Sequence, residues 1–316
     1  MTCSHKAAGR TYDTTKAQNT NIRDIHVGDD DTLGTVSSIQ EHRQRLLSDG
    51  CREFAHVMNK SHYWEMYYDD QMDYIWCLVS KASCTSWKCT LMMLTGKLTE
   101  FQRPEQLPWH MVHMYNNSDK YVDRLHKKPK PYRDWRFNNY FTFMFVREPL
   151  ERLVSAYRDK LLENPWNLGI DGRIAQKYRP HEYNVSVKRY NITFTEFIRY
   201  VLDERAAGRE LDRHWIPQSE LCRVCKHRYD FIGHYETLHK DAEFVVDKLK
   251  SRIQDSEQRR RVANITFPAD SGHRKSSDFL QQMYSTVPAD YIQALYQLYA
   301  VDYALFEFKH PLSGYS

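Results

Sequence analysis

The sequence predicts an α/β fold: a central, mostly parallel sheet flanked by helices. Three observations carry this. Aromatic and β-branched runs of strand length occur at Tyr74–Val79 and Tyr140–Val146, and a shorter one at Tyr229–Gly233. The first two pass through a short loop into a segment with helical periodicity. Strands and helices then alternate along the chain, the pattern of parallel strands joined by crossover helices.

The elements follow in order. Residues 1–35 are polar and poor in aromatics, and read as a disordered N-terminal segment. Residues 36–316 read as one domain. Ile39, Arg43, Leu46 and Leu47 suggest an amphipathic helix ending near Gly50. The strand at Tyr74 leads into Ser80-Lys-Ala-Ser-Cys-Thr-Ser-Trp-Lys88 and a helix to Leu94, stopped by Gly96. Residues 97–136 read as loop-rich because of Pro104, Pro108, Pro129 and Pro131. After the second strand, Leu150, Leu153, Val154, Tyr157 and Leu161 mark one apolar helix face, with Pro149 near its start. Residues 164–192 read as a polar surface excursion. Helices are expected over Thr195–Leu202, Leu238–Leu249 and Tyr291–Tyr303, with an irregular basic stretch at 251–276.

Composition excludes several classes. Lys+Arg 45 against Asp+Glu 41 gives net +4 in 316 residues, too mild for a general nucleic-acid binder. No run approaches the roughly 18–20 apolar residues of a membrane span, and the N-terminus has no signal-peptide core. Yet there are five N-glycosylation sequons, at Asn59, Asn116, Asn184, Asn191 and Asn264. The seven cysteines leave at least one unpaired within the chain. Composition thus hints at a secretory lumen while the N-terminus offers no route there.

The two strand-to-helix junctions are the candidate chemistry. A loop opening a helix presents free backbone N–H groups and the positive end of the helix dipole, a ready anion site. The first junction adds Lys81 and the hydroxyls of Ser83, Thr85 and Ser86. It lacks the Gly-x4-Gly-Lys-Ser/Thr spacing, which argues against an ATPase or GTPase. Simple helix capping by Thr85 or Ser86 is the competing reading. At the second junction, Arg147 stands at the carboxyl end of its strand, where open α/β sheets bind ligands. Ser155 follows two helical turns later. A surface ion pair between Arg147 and Glu151 is the competing reading there.

Together these segments resemble the motifs of Golgi carbohydrate sulfotransferases, most closely the chondroitin/dermatan and N-acetylgalactosamine 4-O-sulfotransferases. Phe145–Lys160 departs from that family's motif only at Leu150. His214-Trp215, Leu221-Cys-x-x-Cys225 and Tyr229–Leu238 are also similar to it, so the resemblance runs from about Tyr74 to Phe308. It implies a P-loop-like fold that binds 3′-phosphoadenosine 5′-phosphosulfate (PAPS) and passes its sulfuryl group to a sugar hydroxyl, with no metal. By resemblance, Lys81 meets the bridging oxygen, and Ser83, Thr85 and Ser86 line the 5′-phosphate loop with Trp87 packed nearby. Arg147 and Ser155 hold the 3′-phosphate, and Arg274 lies in a segment that closes over the nucleotide. His113 is the first candidate for the general base and His110 the second. His214 is a third histidine for acceptor contact or loop support.

The implied partner is a glycosaminoglycan or other N-acetylgalactosamine-bearing glycan. The basic run Arg124–Arg136, six Lys/Arg against one acid, would suit such a polyanion or be a solvated loop. No nucleic-acid partner is implied. Membrane attachment would come through an anchor that is absent from this chain, with residues 1–35 standing where anchor and stem would be, and the site of action is the Golgi lumen. Two departures from the family pattern, Ser80 for Pro and Cys89 for Arg, leave room for an inactive glycan-binding relative. Cys222-x-x-Cys225 is a weak zinc signal, and a structural disulfide or buried thiols is the stronger reading.

Overall fold

The computed structural model describes residues 36–54, 65–113, 120–163, 169–187, 189–268 and 277–310. The expected disorder of residues 1–35 and the role of Arg274 lie outside them. The described residues form a five-stranded sheet covered on both faces by helices. Its strands are β1 (Met66–Asp69), β2 (Tyr74–Cys77), β3 (Asp123–Arg124), β4 (Phe141–Val146) and β5 (Phe231–His234), in the order β3-β1-β2-β4-β5.

The parallel core is the one expected: β2 pairs β4 and β4 pairs β5, all parallel. The other edge is antiparallel, with β1 on β2 and β3 on β1. The sheet is therefore mixed. The short hairpin through Asp69–Asp73, with Asp73 at φ 47°, needs no crossover helix.

Strand alternation sends side chains into two cores. Tyr74, Trp76, Phe141, Phe143 and Phe145 face α2 (Cys84–Leu94) on one side. Ile75, Cys77, Met144 and Val146 lie in the opposite core with Leu150, Leu153 and Val154. Those three belong to the helix after β4, here α5 (Pro149–Tyr157), which continues in a wider π-type turn over Arg158–Glu163.

Several elements differ from expectation. The first helix, α1 (Val36–Phe54), runs through Gly50 rather than ending there, because the missing Cβ lets it pack against Leu305; a Cβ would sit 2.4 Å from that side chain. Residues 97–136 are not all loop. They hold α3 (Trp109–His113) and the start of α4 (Lys130–Asn139), whose prolines fall before and within its first turn. The polar excursion contains α6 (Ile170–Tyr178), anchored by buried Ile170, Ile174 and Ala175. The expected helix at Thr195 is α7 (Phe194–Ala206), opened by a Thr193–Glu196 capping box.

Beyond it come α8 (Gln218–Cys222), α9 (Leu238–Arg252) and α10 (Ser256–Val262), the last within the stretch expected to be irregular. The chain then forms α11 (Ser277–Tyr284), α12 (Ala289–Leu298) and α13 (Ala300–Phe306), so the expected last helix is two.

Edge strand β5 is closed by a side chain. The Gln40 amide donates to Ile232 O at 3.0 Å and accepts from Ile232 N at 2.9 Å, standing in for a neighbouring strand. Two disulfides tie distant parts together, Cys51–Cys225 and Cys77–Cys222. The Cys-x-x-Cys pair thus does not close on itself; each member reaches a separate element. Cys84 and Cys89 are free thiols. Among the described residues, no helix is long and apolar enough to cross a membrane.

Candidate active site

The first junction is a tight turn between β2 and α2. Lys81 and Ser83 both hold left-handed backbone conformations, at φ 72° and 58°. Non-glycine residues there cost about 1–3 kcal/mol each and persist where the surroundings enforce them. Ser83 is the N-cap of α2 but makes no side-chain cap bond, so neither it nor Thr85 or Ser86 plays the simple capping role. Thr85 is exposed, while Ser83 and Ser86 are half-buried at the opening of the helix.

What enforces the turn is Arg152 on α5. Its guanidinium is 1% exposed and donates three bonds to backbone carbonyls: to Ser80 O at 2.9 Å, Ile216 O at 2.7 Å and Arg213 O at 2.9 Å. Ser80 is itself buried, so this clamp fixes the start of the loop where a proline ring would otherwise stiffen it. Cys89 lies in the core beneath α2, where burial pushes its thiol up to about 11. Trp87 is also wholly buried, its ring packed on Phe143, Phe145 and Phe267 at 5.2, 4.7 and 4.8 Å. It supports the loop from behind rather than facing it.

Arg147 leaves β4 directly beside this turn. Its Nη1 donates to Lys81 O at 3.2 Å and its Nη2 to Glu151 at 3.3 Å. The Glu151 pair exists, but Arg147 is 3% exposed, so it is no surface bridge. The guanidinium lies 4.1 Å over the Tyr235 ring, and its Nε is buried without a hydrogen-bond partner among the described residues. Gln218 grips the Arg147 backbone from both sides, accepting from its N and donating to its O. Ser155 is half-buried, two turns along α5.

The π-type turn brings two residues to the junction that received no role from the sequence. Asp159 accepts from Lys81 Nζ at 3.0 Å and pairs with Lys160 Nζ at 3.1 Å. Burial alone would raise the Asp159 carboxyl, but the two ammonium groups outweigh it and hold it well below the usual carboxylate range.

His113 closes the far side. Its Nε2 lies 3.4 Å from Thr85 Oγ1, across α2 from α3. The imidazole reaches solvent, yet the protein around it, with Lys88 and Lys160, lowers its pKa to about 4. It is therefore neutral at physiological pH. His110 is exposed one turn earlier on α3. His214 is buried, its Nδ1 bonded to Asp212 Oδ1 at 2.5 Å, and burial lowers its pKa. Its neighbour Arg213 pairs with Glu65 at 2.8 Å.

The structure thus brings Lys81, Thr85, Arg147 and His113 to one end of the parallel strands. It adds Arg152, Asp159 and Lys160, whose only sequence signal was their place inside the second motif. Among the described residues, no group of three or more His, Cys, Asp or Glu side chains is gathered as a metal site.

An uncapped helix start, a strained lysine turn and a buried arginine with an unsatisfied donor, all at the carboxyl edge of a parallel sheet, mark an α/β protein with a candidate anion site. Comparison with known proteins gives the family. The sequence model of the Sulfotransferase family matches residues 64–309, and the chain belongs to that family; it is a sulfotransferase. Curated relatives include carbohydrate sulfotransferase 14 of Danio rerio, 29% identical over 296 residues, covering 89% of this chain and 75% of the relative. Carbohydrate sulfotransferase 11 of Rattus norvegicus is 26% identical, covering 88% and 78%. Carbohydrate sulfotransferase 9 of Homo sapiens is 30% identical, covering 86% of this chain and 60% of the relative. No solved structure matches the chain.

Proposed function

We propose that this sulfotransferase moves the sulfuryl group of PAPS to a hydroxyl of N-acetylgalactosamine in a chondroitin- or dermatan-type glycan. The observation that carries the reading is the Lys81 turn held between Arg152 and Arg147 at the open start of α2. The family membership and the carbohydrate sulfotransferase relatives support the donor and a glycan acceptor.

The residues fit such a donor. Arg147, with its buried Nε, suits a phosphate, and Ser155 lies along the same helix. The first-turn N–H groups of α2 with Ser83, Thr85 and Ser86 suit a second phosphate. Lys81 would leave Asp159 for the oxygen bridging sulfate and phosphate, while Lys160 keeps the carboxylate compensated. As the S–O bond to phosphate breaks, Lys81 neutralises the leaving oxygen, and His113 takes the acceptor hydroxyl proton. The same Lys88 and Lys160 charges that depress His113 would be offset by an anionic donor, raising its basicity toward the working range.

Golgi-luminal action is part of this proposal. Asn184, Asn191 and Asn264, the three described sequons, are all exposed, and four cysteines are in disulfides, as suits an oxidising compartment.

The test is labelled PAPS offered with desulfated chondroitin, dermatan and a panel of defined glycans, followed by disaccharide analysis. Label on position 4 of N-acetylgalactosamine is the expected result. Label only on another sugar refutes the acceptor, and glycan binding without any transfer establishes the inactive relative instead.

A further inference from the structure

The basic run singled out in the sequence divides. Arg124 is buried on β3 over the Tyr67 ring, which Lys88 also faces, whereas α4 ends at the opposite end of the parallel strands from Lys81 and Arg147. α4 feeds the start of β4, and the segment after α8 feeds the start of β5, whereas Lys81 and Arg147 follow strand carboxyl ends. The six residues of β4 set the end of α4 and Arg147 about 20 Å apart along the strand.

Two features single out this end. α4 carries Tyr132 and Trp135, 61% and 54% exposed, the largest aromatic exposures among the described residues. Around them stand Lys127, Lys128, Lys130 and Arg133 against Asp134. The neighbouring segment adds Arg223, Lys226 and Arg228 against Asp230. The two segments meet where the Phe137 ring stacks on His227, with centroids 3.6 Å apart and an interplanar angle of 5°. Burial, and after it the charges of Arg223 and Lys226, lower the His227 pKa to about 4.

From this seam a groove of about 460 Å³ opens toward α9, lined by Asn138, Asn139, Arg228, Phe244, Lys248 and Arg252 among others. Glu41 and Asp230 are the acids in its wall, and Asp230 is held by Thr142 N and Arg228. Phe244 is 37% exposed and stacks on Phe231 at 5.3 Å, and the buried Arg252 Nε has no hydrogen-bond partner among the described residues.

Clustered cations, amide groups and flat exposed rings are complementary to a chain of pyranose rings bearing carboxylates or sulfates. The cations meet the charges, the amides meet the hydroxyls and the rings meet the apolar sugar faces. We infer that α4, the 223–228 segment and the groove beside α9 form an exosite that holds a polyanionic polysaccharide remote from the transfer site. This rests on the glycan-acceptor reading above. The exosite binds the polymer that carries the acceptor sugar, raising the local concentration of acceptor units by attachment.

The test compares long chondroitin with a short acceptor oligosaccharide, using the full chain and a Lys130→Glu/Arg228→Glu/Lys248→Glu variant. Three surface charge contacts at the usual strength predict about a tenfold rise in KM for the polymer. Unchanged kcat, unchanged KM for the oligosaccharide and a shallower salt dependence of polymer binding are expected with it. The Lys→Gln and Arg→Gln versions should move KM the same way by less, and Trp135→Ala should weaken polymer binding without altering the salt dependence. Equal KM values for the polymer in variant and unaltered protein overturn the inference. So does equal competition by duplex RNA of matched charge, which would make the surface a general polyanion patch. If neither acceptor is sulfated, the acceptor reading fails separately. Retention on immobilised chondroitin then decides the exosite, with loss in the variant supporting it and no loss overturning it.

Discussion

Arg152→Met removes the clamp on the donor loop while keeping the volume and apolar character of the arm. Arg152 is buried with no ion pair among the described residues, and its guanidinium donates to three carbonyls at 2.7–2.9 Å. Each charge-assisted bond is worth about 1.5–3 kcal/mol, and the three oxygens would be left buried and unpaired. Relief from burying a cation offsets part of this, because desolvation is the largest influence on Arg152 and already lowers its pKa. A net loss of about 3 kcal/mol follows, or a melting point lower by about 5 °C for a domain of this size. The functional effect is the sharper one. Ser80 O is one of the three acceptors, so the Lys81 turn loses its tether and its left-handed conformations relax. Affinity for the product nucleotide, 3′-phosphoadenosine 5′-phosphate, should fall at least tenfold by calorimetry, with Arg152→Lys intermediate. Unchanged melting together with unchanged nucleotide affinity would refute the idea that this guanidinium shapes the donor loop.

Other consequences are as direct. His113→Ala should lower kcat about 10²–10⁴-fold with donor affinity intact, measured by steady-state kinetics. With His113 as the proposed base and its pKa depressed to about 4, it is unprotonated throughout the neutral range, and the acid limb of kcat/KM for the donor should lie far below pH 6.5. At saturating donor the acid limb of kcat should move to higher pH as bound negative charge offsets Lys88 and Lys160. The same depression has a stability side. His113, His227 and His234, at about 4, 4 and 3, favour the folded state fully above the ordinary histidine pKa of 6.5, and that contribution is lost as pH falls toward 4. Denaturant titrations at pH 7 and 5 should show it. Reduction of the disulfides should also destabilise the domain. Cys77–Cys222 closes 145 residues of chain, about 5 kcal/mol by loop entropy, and Cys51–Cys225 overlaps it, so losing both costs less than twice that. Melting with and without reductant measures this.

The parallel core was legible because β2 and β4 are unbroken apolar runs, each feeding a helix through a short turn. β1 and β3 were not, since a four-residue and a two-residue strand carry too little periodicity to stand out. α4 was hidden by a rule applied too broadly. Pro129 and Pro131 break a helix interior, but here they sit before and within its first turn. In the site, Lys81, Thr85, Arg147 and His113 came from local spacing and family motifs. Arg152, Asp159 and Lys160 were inside the quoted motif yet without a role. The loop partners of Arg152 and Asp159 lie 60–80 positions away, and a single sequence does not show which carbonyl or ammonium a side chain will meet. The disulfides are the extreme case: the nearer pair in sequence spans 145 residues, and the Cys-x-x-Cys spacing suggested a structural disulfide or buried thiols without naming a partner.

The central claim is that Lys81 performs electrostatic work on a sulfuryl donor. Lys81→Ala tests it in a single-turnover experiment with labelled PAPS and desulfated chondroitin. The Lys81–Asp159 pair is partly exposed, with Lys160 still beside Asp159, so stability should change by no more than about 1 kcal/mol. Transfer should slow by about 10²–10³-fold or more, the usual cost of removing a preorganised electrostatic group. A folded Lys81→Ala protein that transfers sulfate within a few-fold of the unaltered rate would contradict the account.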